Sequence, residues 1–74
     1  MGYLRLLRRL GEMLYTASEQ SELLLLLTDS AGVSDAKIDG VHPKGGYRVN
    51  CTIVMEQFDN VMSNIELNGW MSAI

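Results

Sequence analysis

Residues 3–28, YLRLLRRLGEMLYTASEQSELLLLLT, decide the fold, because they hold every leucine of the chain except Leu67. Leu4, Leu6, Leu7, Leu10, Met13, Leu14 and Ala17 recur at helical spacing, opposite Arg5, Arg8, Arg9 and Glu12. Leucine and methionine favour helix over strand, so the run Leu23–Leu27 also reads as helical. Two features argue against one unbroken rod. Gly11 costs about 1 kcal/mol relative to alanine inside a helix, and Ser18–Glu22 is polar all round. Thr16 with Glu19 three positions on is a capping box, which starts a new helix. The expectation is two helical segments, 3–15 and 17–28.

Moving outward, Asp29-Ser30-Ala31-Gly32 is a stop signal, with Gly32 able to supply a positive φ. Two extended stretches follow, Ala36–His42 and Tyr47–Met55, joined by Pro43-Lys44-Gly45-Gly46 in a hairpin. Tyr47, Val49, Cys51, Ile53 and Met55 alternate with Arg48, Asn50, Thr52 and Val54. In residues 56–74, Phe58, Val61, Met62 and Ile65 repeat at i, i+3, i+4, i+7 and favour a helix ending at Asn68-Gly69. The rival reading has period two, with Val61, Ile65 and Leu67 on one face and Asn68-Gly69 a tight hairpin turn into Trp70–Ile74. The fold class is therefore α+β, one small domain over 1–74. Its expected order is N-terminal helical segments, β-hairpin and C-terminal helix. The alternative is an N-terminal helix followed by an antiparallel β-meander.

A chain of 74 residues buries only about 60% of its unfolded surface, so its core is thin. Cys51 is its only cysteine, which excludes an intrachain disulfide. Cys51 and His42 lack metal-site spacing, so neither a metal nor a cofactor is expected. Oligomerisation or docking on a partner is what remains to stabilise it. Six basic against nine acidic side chains give a net charge of −3 and an isoelectric point near 4.8, which argues against generic phosphate-backbone binding. No stretch approaches the ~20 apolar residues of a membrane span, and no secretory leader is evident, so a cytoplasmic setting is expected.

Candidate sites follow from charge and chemistry. His42, Lys44 and Arg48 gather positive charge round a glycine turn whose N–H groups can cradle an anion. This is not a P-loop, and a solvated hairpin tip is the plain alternative. Cys51 with His42 is the only conceivable nucleophile–base pair, but Cys51 falls on the apolar face of a strand, where free cysteine behaves as a small hydrophobe. Glu56 and Asp59 suit the start of a helix rather than acid–base chemistry.

Arg5, Arg8 and Arg9 share one face of the expected first helix, while Glu19, Glu22 and Asp29 come later. Basic-first order opposes the helix dipole but suits two copies packed antiparallel, arginines of one beside carboxylates of the other. Arg5, Arg8, Arg9, Glu19 and Glu22 are thus expected at a homodimer interface, with Ala17 and Ser21 near the crossing. Trp70 is a further candidate partner anchor, or else it closes the core.

Residues 58–67, FDNVMSNIEL, resemble the Phe-Asp…Met-Asn stretch of Sm-like RNA-binding proteins, which place a β-meander after an N-terminal helix. Ser63 stands where that pattern has asparagine and Ile53 where it has glycine, so no family is assigned. The expected function is a small non-enzymatic protein–protein interaction module, a regulator, adaptor or inhibitor of bacterial or phage type, self-associating through its N-terminal helix. The alternative is an anion- or nucleic-acid-binding module using residues 42–48 and the N-terminal arginines.

Overall fold

A computed structural model describes residues 2–73 of the protein. Its first element is strand β1, Gly2–Arg8. Leu4 and Leu6 point into the core, while Tyr3, Arg5 and Leu7 point the other way. The helix expected over 3–15 is therefore not formed, and the physical reason lies in β3 (Tyr47–Ile53). That strand alternates buried Tyr47, Val49 and Cys51 with polar residues, and an isolated hairpin is at best marginally stable. Pairing β1 against it buries Leu4 and Leu6 beside Val49 and Tyr47. The apolar helical face is divided instead: Leu10 is 86% exposed and Leu14 71%.

Other local signals act as read, except that β3 ends at Ile53 and Met55, expected on its apolar face, is 88% exposed. Helix α1 runs Ala17–Asp29, with Thr16 as its N-cap accepting from Glu19 N–H at 3.1 Å. Leu23 and Leu27 are fully buried. Gly32 ends this region at φ +86°, and a Cβ there would stand 2.6 Å from Gln57 Cβ. Strand β2 (Val33–Val41) pairs with β3 as the expected hairpin, with register shifts between Ser34 and Lys37 and between Ile38 and Val41. A turn of 3₁₀ helix, Met55–Gln57, leads into α2 (Phe58–Leu67), which buries Val61 and Ile65. Gly69 at φ +88° then turns the chain into β4 (Trp70–Ser72), which pairs with β1, so the helical reading of 56–68 holds and the rival hairpin turning at Asn68-Gly69 is not formed.

All four strands form one antiparallel sheet in the order β2-β3-β1-β4. The β-α-β-β-α-β sequence with this order is the split βαβ, or ferredoxin-like, topology. The protein is thus α+β with two helices and a four-stranded sheet. Leu23, Leu27, Val61 and Ile65 of the helices pack on Leu4, Leu6, Tyr47, Val49, Cys51 and Trp70, so both helices cover one face. The opposite face carries neither. Among the described residues, no helix is long and apolar enough to cross a membrane.

Candidate basic–aromatic face

Side-chain alternation on β1 and β3 decides which groups meet on the uncovered face. Tyr3 pairs with Asn50 and Arg5 with Arg48 across the two central strands, and Lys37 of β2 lies opposite Asn50. At the end of this row the β2–β3 turn closes through His42 N–H to Gly46 O and Gly45 N–H to His42 O, at 2.7 and 2.9 Å. Lys44 N–H donates to His42 Nδ1 at 3.0 Å, which fixes the imidazole at the tip. Gly46 sits at φ +84°, where a Cβ would meet Leu6 O at 2.7 Å. Only glycine lets the turn lie this close to β1.

The fold thus brings Arg5 from the N-terminus to the expected anion-binding residues His42, Lys44 and Arg48. Arg5 Nε donates to Gly45 O at 2.6 Å and Nη2 to Lys44 O at 2.5 Å, tying the turn to β1. Arg48 lies over the Tyr3 ring, 5.4 Å from its centre, with Nε reaching Tyr3 Oη at 3.4 Å. Tyr3 and His42 rings are 6.4 Å apart and inclined by 29°. Neither Arg5, Lys44 nor Arg48 has a carboxylate partner among the described residues. Their summed charge adds to partial burial in holding the His42 pKa below the usual histidine range. The nearby carboxylate Asp39 accepts from Asn50 and lies 3.7 Å from Lys37.

The expected interface residues divide. Arg8 turns to the helical side of the sheet, where Nε meets Glu19 Oε2 at 3.1 Å and Nη2 meets Glu22 Oε2 at 3.1 Å. Its guanidinium also covers the Trp70 ring at 4.5 Å. Glu19 is buried and accepts from Tyr47 Oη at 2.8 Å and Tyr15 N–H at 3.2 Å. Burial raises the Glu19 pKa, but these hydrogen bonds with that of Arg8 outweigh it and hold the group below the ordinary carboxylate range. The same burial and the Glu19 charge push the Tyr47 hydroxyl up. Arg9 makes an exposed pair with Glu66 at 2.8 Å.

These findings correct three expectations. Arg5, Arg8 and Arg9 do not share a helical face, because residues 2–8 are extended. The arginine–carboxylate pairing expected between two copies is made within one chain, by Arg8 with Glu19 and Glu22. Trp70 has no exposed surface and closes the core between Arg8 and Tyr47, so it is no partner anchor. Cys51 is also buried, on the helical side of β3, and desolvation raises its pKa. It makes no hydrogen bond with His42. Among the described residues, no three His, Cys, Asp or Glu side chains are placed to hold a metal.

Tyr3 does not stand out in the sequence as a candidate for this face. Its signal is its place in the alternation Tyr3-Leu4-Arg5-Leu6, which also fits a helix. Charge distribution is the other feature the fold reveals. Glu19, Glu22, Asp29, Asp59 and Glu66 lie on the helices, whereas Arg5, Lys37, Lys44 and Arg48 belong to the sheet and its turn, together with the carboxylates Asp35 and Asp39 of β2. No family model matches the chain, and neither a curated protein nor a solved structure matches it.

Proposed function

We propose that this chain is a small non-enzymatic interaction module whose partner binds at the hairpin end of the uncovered sheet face and is anionic there. The observation that carries this reading is the convergence of Arg5, Lys44 and Arg48, with His42, from segments about forty residues apart and without carboxylate partners among the described residues. The helices carry five carboxylates, Glu19, Glu22, Asp29, Asp59 and Glu66, and no basic side chain, so most of the negative charge lies on the other side of the sheet from this contact. Cations that are neutralised by no internal partner stay available to an external one. A cytoplasmic setting is part of the proposal, supported by the single unpaired Cys51.

Self-association is proposed through α1, where Leu24 and Leu25 remain exposed. A groove of about 500 Å³ beside it is lined by Glu22, Leu25, Leu26, Asp29, Asn64 and Asn68. Sedimentation equilibrium showing only an 8.2 kDa species at millimolar protein would remove that part.

The anionic-partner reading is tested with heparin, which offers charge without bases or peptide. Binding is expected at low salt, with affinity falling on a log–log slope of about 2 for three neutralised anions. A Lys44→Ala/Arg48→Ala double variant that is folded and still binds equally well refutes it.

A further inference from the structure

We infer that the anionic partner is single-stranded nucleic acid, held across the uncovered sheet face with a base stacked on Tyr3. This rests on the anionic-partner reading and names its chemistry. β1 and β3 are the two inner strands, so Tyr3, Arg5, Arg48 and Asn50 occupy the middle of that face. Tyr3 keeps 42% of its surface exposed although it stands on a central strand. The groups around it are planar: the Arg48 guanidinium at 5.4 Å from its ring centre and the His42 imidazole at 6.4 Å. Stacking platforms of this kind, aromatic rings and arginine beside backbone-tracking cations, are how proteins take single strands.

Charge alone does not select this ligand, but charge with stacking does. An acidic peptide would use Arg5, Lys44 and Arg48 and leave the exposed ring without a role. A duplex hides its base faces and presents only phosphates, and three or four cations in a chain of net charge −3 are few for that purpose. A single strand uses both features, phosphates on the cations and a base on Tyr3. Asn50, directly opposite Tyr3, adds an amide to meet a base edge.

The test is fluorescence anisotropy with labelled ten-nucleotide RNA and DNA single strands and the matching duplex. Heparin and poly-glutamate are competitors that lack bases. Wild-type protein is compared with Tyr3→Phe, which keeps the ring, and Tyr3→Leu, which keeps a strand-compatible apolar side chain; circular dichroism checks the folding of each. Single strands are expected to bind more tightly than the duplex. Tyr3→Leu should weaken that binding roughly 5- to 100-fold while Tyr3→Phe retains most of it, and neither should alter heparin binding. Tight heparin or poly-glutamate binding, with no single-strand preference and no effect of Tyr3→Leu, overturns the inference but leaves the anionic partner standing. Absence of binding to every polyanion overturns both. The comparison of single strand with duplex in wild-type protein decides the matter even if a Tyr3 variant fails to fold.

Discussion

Arg5 and Arg48 stand directly opposite one another on β1 and β3, two like charges at a cross-strand pair. Such a juxtaposition is destabilising unless the charges diverge or meet an anion. Both guanidinium groups do diverge, Arg5 to the carbonyls of Lys44 and Gly45 and Arg48 to the Tyr3 ring. The arrangement holds positive charge at the centre of an uncovered sheet face.

Arg48→Gln separates binding from folding. It removes one member of the like-charge pair and the exposed contact with Tyr3, two small effects of opposite sign. Unfolding free energy in urea is expected to change by less than about 0.5 kcal/mol. The salt slope of heparin binding should fall by about 0.7. A stability loss well beyond that range would make Arg48 a structural residue.

Glu19→Ala should be far more costly than any exposed acidic substitution. It leaves the Tyr47 hydroxyl and Arg8 Nε without their acceptor, while the Arg8 Nη groups keep Glu22. A loss of about 2–4 kcal/mol is expected from urea unfolding, whereas Glu66→Ala, in an exposed pair, should cost under about 1 kcal/mol.

The same carboxylate sets an acid limb. Its folded pKa is depressed, so its contribution is complete at neutral pH and is lost as pH falls through the unfolded and then the folded value. Thermal melts should therefore decline below about pH 5. Glu19→Gln is expected to start lower and lose less over that range; an unchanged acid limb in this variant contradicts the assignment.

His42 should titrate below a free histidine, because desolvation and the Arg5, Arg48 and Lys44 charges disfavour its protonated form. An NMR titration is expected to show the midpoint rising in Lys44→Ala and in Arg48→Gln. Heparin should raise it too, since an anion favours imidazolium. A midpoint insensitive to all three would mean the cations do not act on the ring.

Cys51 should resist alkylation in the native state and react when the chain unfolds, as its burial and raised pKa require. Thiol release with Ellman's reagent should track the unfolded fraction across a urea gradient. Fast labelling without denaturant would show a reactive thiol and reopen a nucleophilic role for it.

Residues whose partners lie within a few positions were legible from the sequence. Thr16 caps α1 through the N–H three residues on, Gly32 and Gly69 supply the positive φ that ends each helical segment, and the Pro43–Gly46 stretch turns β2 into β3. The α+β class followed from these. The candidate residues His42, Lys44 and Arg48 could be grouped from the sequence too, being neighbours on one turn. Tertiary structure alone decided residues 3–8, since Leu4 and Leu6 satisfy a helical and an extended period equally over so short a run. The choice was made by β3, whose buried alternation needs a strand on each side. That choice sent Arg8 to Glu19 inside the chain and set Arg5 and Tyr3 beside the hairpin tip. Pairing across some forty positions leaves no periodic trace, so the complete face exists only once the sheet has formed.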